Sequence, residues 1–368
     1  MSEEYSNVYF VTGGGTGGHI YPAMAIADAL SSDSKVYYVG NRHNMEYGLA
    51  NSKGYKFLHV GVSGMPRKLN PKFFYWGVKL VRAILYSIRY IKKYKPKAVF
   101  ATGGYVSAPM IFACIITKTP YMMHDCDAMP GLVTRRLCKR AKYVSLAFEK
   151  AKKFIPNRHS IVTGNPIRPE FSTLTKEMAL SQMGLPNKLT LAIMGGSQGA
   201  KSINNTAVEI IKEFIQQYNI QVIFQTGKKN YGEIIEKLKL IYPAWEQEGA
   251  LIVQPYFSDM ISVLKSSDIV VSRAGSLSLS EICASGAAPI LVPYPHAAAN
   301  HQRINAKCLL EMGACIYLED KELEPNKLRE VLNQLLSNPV KMNYLKQNTS
   351  HLAKFDATEK IVKCIKSL

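Results

Sequence analysis

Thr12-Gly13-Gly14-Gly15-Thr16-Gly17-Gly18-His19 decides how the first half of this chain is read. Before it stands Val8-Tyr9-Phe10-Val11, a short run of apolar β-branched and aromatic residues that predicts a strand. After it, Ile20, Ala23, Met24, Ala27 and Leu30 recur at helical spacing. The glycines therefore form a strand-to-helix turn. With no Cβ in the way, main-chain N–H groups can approach a ligand there, and the helix N-terminus adds roughly half a positive charge. Such a turn suits a phosphate or another anion, and His19 sets a titratable group beside it.

Outward from this turn, short apolar runs alternate with helical stretches. Strands are expected at Val8–Val11, Val36–Val39, Phe57–Val60, Ala98–Ala101, Tyr121–His124, Tyr143–Ser145 and Ser160–Thr163. This is the rhythm of a parallel sheet. Gly164-Asn165-Pro166-Ile167-Arg168-Pro169 interrupts it, and a polar stretch running to Lys188 reads as an interdomain linker. The rhythm restarts at Leu189–Met194 and continues through Gln221–Gln225, Leu251–Gln254, Ile269–Val271, Pro289–Val292 and Cys315–Leu318. Polar helices at roughly 324–336 and 340–366 close the chain. The fold class is α/β, with two doubly wound parallel-sheet domains. A chain of 368 residues suits two cores better than one.

Charge narrows the partners. The formal net charge is +19, and Tyr47 to His124 holds 13 lysines and arginines and no acid, so this one segment supplies +13 of it. It should face something anionic, either nucleic acid or a lipid surface. No nucleic-acid reader motif is present, so nucleic acid is the weaker reading. No secretory signal is expected from the acidic, polar start, and no apolar run is long enough to span a membrane. The cysteines are odd in number and scattered, without C-x-x-C, which fits a reducing compartment.

Further motifs sit at strand ends. Gly13, Gly15 and Gly18 make a G-x-G-x-x-G, but Val39-Gly40-Asn41-Arg42 lacks the acid that a dinucleotide site needs. A purely structural turn is the bland alternative. Gly103-Gly104-Tyr105 is a second glycine turn in the same domain, and the pair favours a phosphate-bearing ligand. Gly195-Gly196-Ser197-Gln198-Gly199-Ala200 opens the second domain and fails as a P-loop, because Ala200 separates Gly199 from Lys201. Glu281 follows Ser272-Arg273-Ala274-Gly275 on a new helix, where it either accepts from a vicinal diol or merely supports the helix start. His296 to Asn305 is rich in groups that bond hydroxyls, fitting a sugar or only a solvated loop. Asp125-Cys126-Asp127 has two carboxylates and no third ligand nearby, so no dedicated metal site is expected.

Pro71 to Lys97 reads as an amphipathic helix. At 100° per residue, Phe73, Leu80, Val81, Ile84, Ile88 and Ile91 share a face flanked by Phe74, Val78 and Leu85. Lys79, Arg82, Arg89 and Lys93 lie opposite, with Trp76 at the border. A membrane-surface element is expected, with Phe73, Phe74, Trp76, Leu80 and Ile84 in contact. The alternative is a core helix with a solvated basic face.

Together the glycine turns, Gly164-Asn165-Pro166-Ile167-Arg168 and Ser272 to Glu281 resemble, in order and spacing, the MurG family of peptidoglycan transferases. The resemblance implies a GT-B fold: two Rossmann-like domains facing a cleft. It implies GlcNAc transfer from UDP-GlcNAc to the 4-hydroxyl of MurNAc in undecaprenyl-diphospho-MurNAc-pentapeptide (lipid I, giving lipid II). Residues 1–165 would form the acceptor and membrane domain and 166–345 the UDP-GlcNAc domain, with 346–368 a helix returning to the first. Phe257 would meet uracil through its backbone, Glu281 the ribose, and Ser197 the diphosphate, with Gln198 also on the donor side. Arg168, Ser276, Leu277, Ser278, Leu279, Ser280, Gln302 and Asn305 match positions lining that site. Gly14, Gly15, Thr16, Gly17, Gly103, Gly104 and Tyr105 would hold the acceptor's diphosphate. Thr16, Gly17, Gly18 and Asp127 would touch the donor's sugar end. Where the family usually reads His-Glu-Gln-Asn, this chain reads His124-Asp125-Cys126-Asp127, so a carboxylate replaces an amide.

The implied setting is the cytoplasmic face of the bacterial cell membrane, peripherally bound, in cell-wall synthesis and hence cell shape and division. Cell-wall synthesis proteins would be among the partners. No cofactor is expected, and a divalent cation could assist without a dedicated site. Inverting attack needs a base, for which His19 is the first candidate and Asp127 the second. Two rival readings are a nucleotide-sugar sensor without turnover and a transferase acting on another lipid such as diacylglycerol.

Overall fold

The computed structural model describes residues 7–66, 71–196 and 198–368. They form two compact units, 1–168 with 356–368 and 169–355. In the first, all strands are parallel: β1 (Val8–Thr12), β2 (Lys35–Gly40), β3 (Lys56–His59), β4 (Ala98–Ala101), β5 (Tyr121–Asp125), β6 (Tyr143–Leu146) and β7 (Ser160–Val162). Their order is β3-β2-β1-β4-β5-β6-β7. Strand order reverses between β1 and β4, where Thr12 pairs with Ala101. Ligands of open α/β sheets bind beyond the carboxyl ends at such a switch.

Period-2 alternation along β1 builds a core on each face of the sheet. Phe10 packs with Tyr37, Val39 and Val99 under the helices Pro71–Tyr94 and Gly104–Thr117. Tyr9 and Val11 face the other way, onto Ile20, Ala27 and Leu30 of helix Gly17–Ser31. The same layer takes in Ile361 and Ile365 of the last helix, Ala357–Lys366, both fully buried.

The second unit repeats the plan with β8 (Thr190–Met194), β9 (Gln221–Gln225), β10 (Leu251–Gln254), β11 (Ile269–Ser272), β12 (Ala288–Leu291) and β13 (Ile316–Tyr317). The order is β10-β9-β8-β11-β12-β13, again all parallel, with its switch where Met194 pairs Ser272.

Both domain boundaries differ from the sequence reading. The polar stretch to Lys188 contains short helices Glu170–Thr173 and Lys176–Gln182, both in the second unit. Lys176 pairs with Asp268 at the foot of β11, so this segment is packed structure and the crossing lies at 168/169, beyond the expected 165. The expected helix 340–366 is two helices, Pro339–His351 and Ala357–Lys366. Leu345 of the first belongs to the second unit's core, and Lys346 pairs with Asp268. Ile361 and Ile365 belong to the other unit, so the chain must break between them, and the return falls at 356 rather than 346.

Candidate active site

In the first unit the two glycine turns lie against each other at the carboxyl edge of β1 and β4. Three contacts require glycine. A Cβ on Gly13 would stand 1.9 Å from Thr102 Oγ1, one on Gly14 2.5 Å from Glu46 Oε1, and one on Gly104 2.8 Å from the Gly14 carbonyl. The Gly104 position also abuts the His19 ring, 3.0 Å from Cδ2. His19 is thus wedged between the two turns, with its carbonyl accepting from Thr102 Oγ1 at 2.7 Å. The Tyr105 ring closes over Gly15, 3.0 Å from where a Cβ would be. Gly15 and Thr16 are exposed, and the helix that follows leaves the Gly17 and Gly18 amides outside the helical ladder, while His19 N donates to the Thr16 carbonyl at 3.1 Å. Gly14 to His19, Gly103, Gly104 and Tyr105 are therefore brought together at one edge of the sheet, with Gly14 and Gly103 buried.

Glu46 is the residue that sequence reasoning missed. The strand-end acid expected of a dinucleotide site is absent, yet a carboxylate six residues past Gly40 reaches the turn from below. Its chain signal was weak, since it opens the helix Met45–Ser52 and reads as an ordinary first-turn acid.

At the end of β5, His124 is fully buried. Its Nε2–H donates to Asn165 Oδ1 at 3.0 Å, and Ser145 Oγ donates to its Nδ1 at 2.8 Å. Burial pushes this imidazole down to about 4, so it is neutral at pH 7. Asp125 is buried too. Its Oδ1 accepts from Asp127 N at 3.2 Å and its Oδ2 from Gly131 N at 3.0 Å. Burial raises its carboxyl to about 7. Ligand atoms of Asp125, Cys126 and Asp127 lie within 4.8 Å of one another, but both Asp125 oxygens already fold the loop 125–131. Cys126 Sγ lies 3.9 Å from a Cβ built on Gly18, so this loop borders the glycine turn and carries Asp127 with it. Arg168 is the last residue of the first unit.

In the second unit a buried amide plays the organising part. Gln225 Nε2 donates to the Gly196 carbonyl at 3.2 Å, and its Oε1 accepts from Phe257 N at 3.0 Å. The turn after β8 is thereby tied to the segment after β10. Of the Phe257 backbone groups expected to meet uracil, the N–H is committed to Gln225, which leaves the carbonyl. Gly199 needs its glycine, since it has φ +76 and a Cβ would come 2.2 Å from the Thr226 carbonyl. Gln198 is exposed on this turn, and Ser197 lies outside the described residues.

Helix Ser276–Ser285 starts at the end of β11. Leu277, Ser278, Ser280 and Glu281 are partly exposed, whereas Ser276 and Leu279 are buried. Leu279 is therefore a core residue, and only its backbone can belong to a site. Gln302 Oε1 accepts from Ala274 N at 3.2 Å and Tyr294 N at 2.9 Å, holding two loops together. Asn305 is fully buried with Nδ2 donating to the Ala274 carbonyl at 3.4 Å, so it supports the loop from beneath. Arg273 is a brace: it reaches the Val292 carbonyl, Asp320 and Ser202 at 3.0, 2.5 and 3.0 Å. The loop before Gln302 holds Ala299 and Asn300 at φ 50 and 55, a left-handed pair that only a fixed environment maintains.

Helix Pro71–Tyr94 is amphipathic, but the outward face is not the expected one. Leu80 and Ile88 pack into the first unit's core, and Ile91 is buried in it. Trp76 turns back, its indole N–H donating to the Ser63 carbonyl at 2.9 Å. Phe74, Val78, Val81 and Leu85 stand in solvent, at 78, 67, 58 and 62 % exposure. They fall within about 60° of one another at 100° per residue. A shallow apolar groove of about 530 Å³ runs along them from Phe73 to Leu85. Of the expected contacts, Phe74 is exposed, and Phe73, Trp76, Leu80 and Ile84 are half-buried. The wide apolar face is thus divided, with Leu80, Ile88 and Ile91 toward the core and Phe74, Val78, Val81 and Leu85 toward solvent. Among the described residues no helix is long and apolar enough to cross a membrane.

The chain matches the glycosyltransferase family 28 N-terminal domain over residues 9–146 and the family's C-terminal domain over residues 190–363. A protein of Desulforamulus reducens is 36 % identical over 97 % of this chain and 98 % of its own length. One of Desulfitobacterium hafniense is 37 % identical over 96 % of this chain and 97 % of its own. Both are named UDP-N-acetylglucosamine–N-acetylmuramyl-(pentapeptide) pyrophosphoryl-undecaprenol N-acetylglucosamine transferase. The crystal structure of Acinetobacter baumannii MurG superposes with a TM-score of 0.77 at 27 % identity, covering 98 % of this chain and 99 % of that one. With two Rossmann-like units and these full-length relatives, the chain belongs to the MurG family of N-acetylglucosaminyltransferases within glycosyltransferase family 28.

Proposed function

We propose that the chain transfers GlcNAc from UDP-GlcNAc to the 4-hydroxyl of MurNAc in undecaprenyl-diphospho-MurNAc-pentapeptide. The observation that carries this reading is the near-complete, 36–37 % identical match to enzymes named for that reaction. The geometry supports it with an anion-facing turn at the sheet edge of each unit. In the reaction the acceptor hydroxyl attacks the anomeric carbon as the bond to the UDP oxygen breaks, with inversion. The hydroxyl proton passes to a base, and UDP leaves with the bonding pair.

His19 is the base in this proposal, because it lies between the two glycine turns at the exposed edge. His124 cannot serve, since Ser145 and Asn165 occupy both ring nitrogens. Asp127 is the second candidate, on a loop beside Gly18. First-turn amides and Arg168 stabilise the departing diphosphate. Glu281, the Phe257 carbonyl and the turn at Gln198 hold UDP. The Phe74–Leu85 stripe, with basic Arg82, Arg89 and Lys93 nearby, docks on the anionic cytoplasmic membrane surface where the lipid acceptor resides. Cell-wall synthesis proteins would be met there.

Incubation with UDP-GlcNAc and a lipid I analogue tests the reading. Release of UDP with a disaccharide-lipid product supports it. UDP release only with diacylglycerol, or binding without turnover, would replace it with one of the rival readings.

A further inference from the structure

We propose that Glu46 is a positioning residue for the acceptor side: its buried carboxylate, acting with Asn44, shapes the Gly13–Gly18 turn and couples it to Tyr105. This rests on the reading of that turn as facing the acceptor's diphosphate.

Glu46 is 0 % exposed. A buried carboxylate is expensive unless its oxygens are satisfied. Among the described residues it forms no ion pair. Three N–H groups satisfy it instead: Asn41 N at 3.2 Å and Asn44 Nδ2 at 3.1 Å on Oε1, and Gly15 N at 3.5 Å on Oε2. So costly a group, placed under a turn with no cation, calls for a local reason.

Geometry supplies one. The turn lies flat on the carboxylate, since a Cβ on Gly14 would sit 2.5 Å from Oε1. Gly15 has φ +87, and its N–H points down to Glu46 rather than out to solvent. An outside anion is therefore met by the amides that follow, at the start of helix Gly17–Ser31. Tyr38 Oη fixes the other end of the turn by donating to the Gly13 carbonyl at 2.6 Å. Asn44 Nδ2 also donates to Tyr105 Oη at 3.2 Å. One amide group thus joins the carboxylate under the first glycine turn to the tyrosine that closes the second. Glu46, Asn44 and Tyr105 form a unit spanning both turns.

Glu46→Gln keeps the volume but replaces one acceptor by a donor. Either Gly15 N–H or the Asn41–Asn44 pair would then face an N–H, and the turn must shift. With a lipid I analogue varied at saturating UDP-GlcNAc, the acceptor KM should rise tenfold or more while the donor KM stays within twofold. Asn44→Ala keeps the carboxylate and its bonds from Asn41 N and Gly15 N, and removes both the Asn44 donation to Oε1 and the link to Tyr105. It should raise the acceptor KM in the same direction, and adding Tyr105→Phe should cost little more, because the two act through one contact. A merely structural Glu46 would lower the melting temperature without splitting the two KM values. Folded variants with acceptor KM within twofold of the parent would overturn the inference, as would an equal rise in both KM values. If Glu46→Gln does not fold, Asn44→Ala decides. Absence of turnover by the unmodified chain would overturn the functional reading and this inference with it, whereas normal turnover by the parent and both variants would overturn the inference alone.

Discussion

The His124 Nε2 lies 3.0 Å from Asn165 Oδ1, which ties the end of β5 to the segment leaving the first unit. One residue on, Asp125 is buried with the opposite titration habit. His124 is held down to about 4 by burial, and Asp125 is held up at about 7, also by burial. Between pH 4 and 6.5 the unfolded chain has a charged histidine where the folded one does not, so this term lowers stability on acidification. Over the same range folded Asp125 keeps a proton that the unfolded chain has lost, which raises stability on acidification. The two slopes oppose each other. Asp125→Asn should therefore expose the histidine term, giving a steeper loss of stability from pH 6.5 to 4 than in the parent. Urea midpoints across that range check it, and parallel profiles would refute it.

The outward stripe of helix Pro71–Tyr94 gives a second expectation. Phe74→Ser with Val78→Ser and Leu85→Ser removes exposed apolar surface, so binding to anionic vesicles should fall at least tenfold with the melting temperature nearly unchanged. Trp76→Ala and Leu80→Ala should do the reverse, since these side chains serve the fold. Vesicle co-sedimentation and thermal melts separate the two sets. Equal loss of binding from both would restore the face first read from the sequence.

His19→Ala should lower kcat by about 10²–10⁴, the usual share of a general base. Lipid I analogue binding should persist, because the glycine amides remain. Near-full turnover would move the base to Asp127, and Asp127→Asn kinetics would then show the loss instead.

Gln225 makes a fourth test. Gln225→Leu keeps bulk but releases both the Gly196 carbonyl and Phe257 N. Two polar groups lose their buried partner at about 1–3 kcal/mol each, and the turn and the Phe257 segment drift apart. UDP affinity, measured by calorimetry, should drop by roughly tenfold or more. An unchanged Kd would place UDP away from these segments.

Much of the architecture was legible because the signals were local. Val8–His19 announces strand, turn and helix by residue type alone, and Ala98–Ala101 and Gln221–Gln225 are strands where their apolar runs lie. The residues that hold the turns in place were not legible. Glu46, Thr102, Asn165 and Gln225 act across 31, 83, 41 and 29 residues of chain, and no periodicity records such a distance. Asn305 and Leu279 show the opposite limit: the motif that contains them is visible, but the burial of their side chains is tertiary. Helix Pro71–Tyr94 was misphased for the same reason, because which apolar side meets the sheet depends on what lies beneath it.

The last helix yields the clearest stability prediction. Ile361 is fully buried against the layer of Tyr9, Leu30 and Phe100, and Lys366 is held by Asp33 while Lys97 Nζ donates to the Lys366 carbonyl at 3.0 Å. The polar contacts are at the surface and contribute little. Apolar burial carries the docking, so Ile361→Ala should cost about 2–5 kcal/mol, as large-to-small core changes do. Lys366→Ala should cost well under 1 kcal/mol. Because the helix packs on the first unit, the loss should appear in that unit's unfolding, and hydrogen exchange should quicken in β1 and helix Gly17–Ser31 before the second unit changes. Equal quickening in both units, or no change with Ile361→Ala, would show that the helix is not a working part of the first core.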